Sequence, residues 1–444
     1  MTVNVIGAGL AGCEAAWQLS SYGINVRLYE MKPTKYTPAH KYHGFCELVC
    51  SNSLKAERVA SAAGLLKEEM RRLGSLTMEA AAHTKVSAGG ALAVNREEFS
   101  DYVTEKIKTN PLIEVVEGEV TEIPEGCTVI ATGPLTSDAL SKSIRKLLGG
   151  EYLYFHDAAA PIVTRDSLDM SLVFEASRYD RGEADYLNCP MNKEEYTAFR
   201  EALVTAESAP LHDFEQEGHK DFKVYEGCMP IEVLAKRGED TMRFGPLKPV
   251  GLTDPRTGRR PWAVVQLRRE NNDGTLYNLV GFQTNLKFGE QKRVFSMIPG
   301  LANAEFVRYG VMHRNTYINS PGILDEHFCL KADNRIYFAG QMTGVEGYIE
   351  SAASGIYAGM TLARRLLGLP EITLPEDTML GALSKYVQNG SMGDFQPMGS
   401  NMGILPDLPE RIRGKQEKYE VLAKRALESL ERELSDKNYT GGNL

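Results

Sequence analysis

No stretch of this 444-residue chain comes near the roughly 20 consecutive apolar residues that a helix needs to cross a bilayer, so a helical membrane anchor is not expected. The first candidate strand starts at residue 2, which leaves no room for a secretory leader and predicts a protein that is not exported. Cysteine is scarce. Seven residues, an odd number at irregular spacings, argue against a disulfide framework and for a reducing cytoplasm. Positive charge is not in excess either: the net charge of −9 excludes a globally basic nucleic-acid binder, so any such contact must be a local patch. No internal repeat is present, and only one complete G-x-G-x-x-G occurs.

What is present fits a globular α/β protein. Charged residues make up 25% and hydrophobic residues 43%, and the length predicts about three domains, or two if a long α/β domain carries an insertion. The most informative feature opens the chain. Val3–Ile6 is a short apolar strand, Gly7-Ala8-Gly9-Leu10-Ala11-Gly12 is the glycine turn, and an Ala-rich helix runs to about Ser21. Gly23 stops that helix, a second strand follows, and Glu30 lies 18 residues after Gly12. In such a unit the first glycine permits the tight turn, the second lets a pyrophosphate reach the backbone, and the third lets helix pack on strand. The helix N-terminus offers N–H groups to the phosphates, and the acid can bond a ribose hydroxyl.

Two later segments bear on which dinucleotide is held. Cys127–Ile130 reads as a buried strand ending in Ala131-Thr132-Gly133. Arg335–Phe338 reads as another, running into Ala339-Gly340-Gln341-Met342-Thr343-Gly344 and then a helix of small residues from Gly347 to Gly355. This combination resembles flavoproteins of the glutathione-reductase type and implies FAD as the tightly held cofactor. Its expected contacts are Gly7, Ala8, Gly9, Leu10, Ala11, Gly12, Glu30, Thr132, Gly133, Gly340, Gln341 and Gly344. Gln341 departs from the pattern, which has Asp there. With no second complete motif, NADH or NADPH is expected to bind only transiently.

The expected fold is therefore a Rossmann-like FAD-binding domain in two parts, residues 1–150 and 315–444, interrupted by an α+β domain at 151–314. Within the insertion Tyr152–Phe155, Lys223–Tyr225, Ala263–Leu267 and Tyr277–Phe282 read as strands, with a turn at Asn272-Asp273-Gly274, and Asn192–Ala206 reads as a helix. Pro409–Leu434 reads as a charged amphipathic helix, with a frayed end from Tyr439 to Leu444. Arg256, Arg259, Arg260, Arg268 and Arg269 flank Trp262, followed by Lys287, Lys292 and Arg293, while Arg411, Arg413, Lys415 and Lys418 stand in the tail. Such clusters hold a phosphate backbone or are simply solvated faces.

Two cysteines sit in unusual contexts. Cys50 lies in Glu47-Leu48-Val49-Cys50-Ser51-Asn52-Ser53, and Cys228 in Glu226-Gly227-Cys228-Met229-Pro230-Ile231-Glu232. A thiol near a glycine turn can serve as a soft nucleophile if its thiolate is favoured; a small buried hydrophobe is the alternative. His40, His43, Cys46 and Cys50 offer four zinc-type ligands within eleven residues, but their order and spacing match no structural zinc motif, so no metal is expected. Cys13 and Cys127 fall in core elements and are expected to be inert, while Cys189 and Cys329 are undecided.

Six blocks together resemble the family of folate- and FAD-dependent tRNA (uracil-5-)-methyltransferases. They are Gly7–Glu30, Glu47–Ser53, Ala93–Arg96, Glu226–Glu232, Phe244–Leu252 and Ala339–Gly355. The likeness spans nearly the whole chain. Related flavoproteins of wobble-uridine modification share the nucleotide turn but are longer and are not expected to carry Glu226–Glu232. The resemblance implies that FAD is reduced by NADH or NADPH and receives the one-carbon unit of 5,10-methylenetetrahydrofolate. That unit passes to carbon 5 of the T-loop uridine of tRNA, giving ribothymidine. It further implies a thiolate that adds to carbon 6 and a base that takes the carbon 5 proton, roles assigned to Cys228 and Cys50 and open to reversal. His313 is a candidate stacking partner for the pterin, and Arg256, Arg259, Arg260 and Arg268 for the RNA. A wobble-uridine partner protein and a non-catalytic tRNA-binding flavoprotein stand as the alternatives.

Overall fold

The computed structural model describes residues 2–37, 39–149, 153–158, 160–180, 184–209, 229–270, 274–310, 312–389, 395–410, 412–437 and 439; of these, 153–158, 180 and 312–316 are described by backbone alone. Cys228, the Lys223–Tyr225 strand, Asn272-Asp273, Arg411 and residues 440–444 lie outside that set.

Strand β1 (Thr2–Ile6) has Val3 and Val5 buried on one face and Asn4 and Ile6 on the other, as a strand covered on both faces requires. Gly7 takes φ +98°, which a side chain would resist, and turns the chain into α1 (Leu10–Ser21). Gly23, at φ +76°, reverses it into β2 (Asn25–Glu30), where Val26, Leu28 and Glu30 alternate inward. An excursion follows: β3 (Ser53–Ala56), α2 (Ala62–Arg72), α3 (Leu76–His83), β4 (Lys85–Val86), β5 (Ala91–Val94) and α4 (Arg96–Thr109). Its strands form a small antiparallel sheet in the order β3-β5-β4. The chain returns through β6 (Ile113–Glu117), β7 (Thr128–Ile130) and α5 (Asp138–Leu148).

Strand β8 (Leu153–Ala158) leaves this body for the insertion. There β9 (Ile162–Thr164), β10 (Phe174–Glu175), β11 (Tyr186–Met191), β12 (Ala263–Arg269), β13 (Leu276–Leu279) and β14 (Phe306–Arg308) build a six-stranded antiparallel sheet, in the order β10-β11-β12-β13-β9-β14. Its helices are α6 (Lys193–Thr205), α7 (Ile231–Arg237), α8 (Thr241–Phe244) and α9 (Phe288–Phe295). Ala263, Val265 and Leu267 of β12 join Phe199, Leu203, Ile231 and Phe295 of the helices in one core. The alternate residues, Gln266 and Arg268, occupy the other face, which is turned to the nucleotide domain: Tyr186 on β11 donates its hydroxyl to the Ala88 carbonyl at 3.1 Å.

Strand β15 (Met312–Tyr317) brings the chain back, paired antiparallel with β8 from Met312↔Ala158 to Tyr317↔Leu153. The connection between the domains is thus a two-stranded ribbon, and the expected boundary at 314/315 falls inside it. Strand β16 (Ile336–Phe338) completes a five-stranded parallel sheet, β16-β7-β1-β2-β6. Helix α10 (Tyr348–Leu366) crosses α1 very closely: a Cβ on Gly355 would stand 2.1 Å from the Ala11 carbonyl oxygen. Two helices finish the domain, α11 (Met379–Asn389) and α12 (Lys415–Asp436). The last begins after Gly414, later than the expected Pro409, and buries Leu422, Ala423, Ala426, Leu430 and Leu434. Tyr439 is anchored, contrary to the expected fraying, because its hydroxyl donates to the Leu73 carbonyl at 2.8 Å. Among the described residues no helix is long and apolar enough to cross a membrane.

Candidate active site

A cleft of about 470 Å³ opens at the C-terminal ends of β1, β2, β7 and β16. That is where ligands bind in open parallel α/β sheets. Gly7, Ala8, Gly9, Leu10 and Ala11 line it, as do Glu30, Thr132, Gly133, Gly340 and Gln341. Two expected contacts stand behind its wall. A Cβ on Gly12 would lie 1.7 Å from the Gly7 carbonyl oxygen, so Gly12 serves helix-to-turn packing. A Cβ on Gly344 would meet the Phe395 ring at 2.4 Å.

The helices differ in how their N-termini are satisfied. Ser61, Ser75, Asn95, Ser137 and Asn192 each cap the helix that follows with a side-chain oxygen. Helices α1 and α10 instead start from Gly9 and Gly347, with no side-chain cap. Their N–H groups and positive dipole ends are left for an anion. A Cβ at Gly9 would find no heavy atom within 4 Å, so nothing blocks a ligand's approach to that backbone. Glu30 is aimed by two backbone donors, Ala8 N–H at 2.9 Å to Oε2 and Lys32 N–H at 3.0 Å to Oε1. Each oxygen keeps a lone pair for a ribose hydroxyl. Gln341 donates Nε2 to both carboxylate oxygens of Glu346 at 2.8 Å, so the carboxylate missing at 341 stands five residues later. These residues fit a dinucleotide with its pyrophosphate at α1, as FAD requires.

Cys50 lies in the same cleft, beside the start of α10. Its Sγ is 2.9 Å from the Tyr348 hydroxyl, and that oxygen also accepts the Cys50 N–H at 2.7 Å and the Ser51 N–H at 3.3 Å. An oxygen already accepting two N–H bonds has its own proton to offer the sulfur. Burial raises the pKa of Tyr348 well above the ordinary phenol value, which keeps that proton in place. The loop is held from both domains. Arg96 Nη1 donates to the Leu48 and Val49 carbonyls at 2.8 and 3.0 Å, and its Nε pairs with Glu270 at the end of β12. Asn52 Nδ2 donates to the Arg269 carbonyl at 2.9 Å.

Arg268 is a correction. Expected on the surface against phosphates, it is 7% exposed and points inward, because β12 alternates and this face is covered by the nucleotide domain. It donates to Asn52 Oδ1 at 3.0 Å and to Ser51 Oγ at 2.7 Å. Arg256 forms a two-pronged pair with Asp254, at 3.0 and 2.9 Å, and reaches the Ser171 carbonyl, so its charge serves its own turn. Lys287 and Arg293 are matched by Glu207 and Glu290. Arg259 and Arg260 are exposed. His313 sits on β15 opposite Asp157, with only its backbone described. Ile231, three residues beyond Cys228, donates its N–H to the Gln283 carbonyl at 2.8 Å, and Gln283 lines the cleft.

Cys13, Cys46, Cys189 and Cys329 are buried. Burial pushes the thiols of Cys13 and Cys189 up, which suits inert core residues. Among the described residues no three His, Cys, Asp or Glu side chains gather to hold a metal. Sequence reasoning did not single out Tyr348, Glu346, Gln283 or Arg96. Tyr348 carried a signal, being the lone aromatic in the small-residue stretch Gly347–Gly355.

The family model described as glucose inhibited division protein A matches residues 2–370. A methylenetetrahydrofolate–tRNA-(uracil-5-)-methyltransferase TrmFO from Listeria innocua is 59% identical over 431 residues, 97% of this chain and 98% of the relative. Its namesake from Brevibacillus brevis is 58% identical over 430 residues, 97% of each chain. Among solved structures, Aquifex aeolicus GidA superposes with a TM-score of 0.66 over 98% of this chain and 75% of that one, at 15% identity, a likeness of fold. The chain belongs to the glucose inhibited division protein A family and, within it, to the methylenetetrahydrofolate–tRNA-(uracil-5-)-methyltransferases of the TrmFO type.

Proposed function

We propose that this protein is a methylenetetrahydrofolate- and FAD-dependent enzyme that methylates carbon 5 of the T-loop uridine of tRNA, with NADH or NADPH as reductant. Carrying this reading is the juxtaposition in one cleft of an anion-receptive helix N-terminus and the Cys50 thiol, in a chain 59% identical to a named methyltransferase. When bound, the flavin supplies the reducing equivalents and presents the one-carbon unit. Gly7–Ala11 receive its pyrophosphate, Glu30 its ribose, and Thr132, Gly133, Gly340 and Gln341 flank the rest.

The protein's share of the chemistry is nucleophilic and acid–base. Uracil carbon 5 is a poor nucleophile. Addition of the Cys228 thiolate to carbon 6 forms an S–C bond and moves the ring electrons onto carbon 5, which then bonds the one-carbon unit. Cys50 takes the carbon 5 proton, and expulsion of Cys228 restores the ring. The Tyr348 hydroxyl is placed to donate to a Cys50 thiolate and stabilise it. The uridine must leave its stack to arrive at the cleft. Arg259 and Arg260 contact the RNA backbone, and His313 stacks on the pterin.

The test supplies NADPH and labelled methylenetetrahydrofolate to the flavin-loaded protein, with a T-loop minihelix or an anticodon stem-loop as acceptor. Label should appear as ribothymidine in the T-loop RNA alone. Label in the anticodon RNA would favour a wobble-uridine role. RNA binding without transfer to either would favour a non-catalytic flavoprotein.

A further inference from the structure

We propose that Arg268 is the positioning residue of the Cys50 thiol: from the inserted domain it fixes the loop through Ser51 and Asn52 and sets a buried positive charge opposite a Cys50 thiolate. The inference deepens the proposed function, since it rests on Cys50 acting in the reaction.

The geometry carries it. Arg268 is a buried guanidinium with no carboxylate among its hydrogen-bond partners in the described residues; Nε and Nη2 go to neutral oxygens of the two residues after Cys50, at 3.0 and 2.7 Å. A buried cation held by neutral groups costs stability unless charge nearby offsets it. Asn52 in turn is fixed by donating to the Val94, Arg269 and Glu270 carbonyls, so the arginine's anchor is rigid. Other groups that face this site are the Tyr348 hydroxyl from α10, Arg96 from α4, Arg308 from β14 and Glu270 after β12. Glu270 pairs with Arg96 and also lies within electrostatic range of Arg268 and Arg308. Arg268 and Arg308 both lie within electrostatic range of Cys50, and burial penalises the charge of both. Of these two, Arg268 also holds the Cys50 loop by described hydrogen bonds, as Arg96 does from the nucleotide domain. It therefore couples the placement of the inserted domain to the reactivity of the thiol.

The experiment follows the pH profile of Cys50 alkylation by iodoacetamide in the flavin-free, full-length protein, read by peptide mass. Arg268→Gln should raise the midpoint by about 1 pH unit, the size expected from removing one opposite charge near an ionising group. Arg268→Lys should restore the midpoint while leaving methyl transfer impaired, because an ammonium keeps the charge and loses the fork. Ser51→Ala keeps the charge and removes one bond, so it should leave the midpoint in place and slow methyl transfer by about three- to tenfold. If Arg268→Gln fails to fold, the other two variants still decide. An unchanged midpoint in folded Arg268→Gln, or full methyl transfer in both Arg268→Lys and Ser51→Ala, overturns the proposal. Full methylation by Cys50→Ser would instead overturn the catalytic reading of Cys50, and the alkylation profile of Arg268→Gln does not depend on that result.

Discussion

Replacing Gly9 by valine should separate cofactor binding from folding. At this position φ is −77° and ψ −175°, open to any residue, and an added Cβ touches nothing within 4 Å. Removing glycine restricts the unfolded chain and stabilises by about 0.4–1 kcal/mol. Losing glycine at an N-cap costs a similar amount, since β-branched residues are poor there. The two offset to within about 1 kcal/mol, so the cofactor-free Tm should move by no more than about 2–4 °C. Binding is affected differently. The valine methyls occupy the space through which a pyrophosphate reaches the first turn of α1. Losing two charge-assisted bonds of about 1.5–3 kcal/mol each lowers affinity at least about 100-fold. Gly12→Ala makes the contrast, because its Cβ would meet the Gly7 carbonyl at 1.7 Å and must disturb the turn itself. The assay is the visible flavin absorbance per chain after purification, together with the Tm of cofactor-free forms, because bound ligand raises Tm by mass action. A Gly9→Val protein that purifies with full flavin refutes the reasoning, and so does one that loses flavin because its apo form no longer folds.

Two further outcomes follow from other parts of the molecule. Burial pushes the Glu69 carboxyl up to about 8 from an ordinary 4.5, against two backbone N–H donors at the start of α11. The folded state therefore holds a proton that the unfolded chain releases, and stability is fully present below about pH 4.5 and declines as pH rises through 8. Glu69→Gln should flatten that decline in urea midpoints measured across the interval, and an unchanged slope would contradict it. For the RNA surface, Arg259→Gln with Arg260→Gln should reduce the salt slope of tRNA binding by about one per lost contact. Arg256→Gln should leave the slope alone, because its charge is committed to Asp254; equal effects from both changes would move the phosphate contacts elsewhere.

The nucleotide half was legible because its rules are local. Glycine spacing, apolar strand and terminal acid fall within Val3–Glu30, and backbone sterics dictate the turn wherever that pattern occurs. The insertion was legible as strands and a helix, since Ala263–Leu267 and Asn192–Ala206 carry recognisable composition. What stayed hidden depended on long-range contact. Cys50 and Tyr348 are 298 residues apart in the chain, and no local pattern links them. Arg268 looked like part of a basic cluster because Val264 and Val265 follow one another and hide the alternation of β12. Only the covering domain makes its second face an interior one. The carboxylate beside Gln341 is invisible to a position-by-position motif for a simpler reason: Glu346 reaches back across a tight glycine turn.

Covalent trapping with 5-fluorouridine-substituted T-loop RNA tests the central claim most directly, because fluorine at carbon 5 cannot be removed as a proton and holds the carbon 6 adduct on the protein. With flavin, reductant and methylenetetrahydrofolate supplied, the wild-type chain should yield a protein–RNA adduct on Cys228. Cys228→Ser should form none while keeping flavin and NADPH oxidation, and Cys50→Ser should still form it but fail to turn over normal RNA. An adduct in Cys228→Ser that disappears in Cys50→Ser would exchange the two roles. Wild-type methylation by both variants would contradict thiol catalysis altogether.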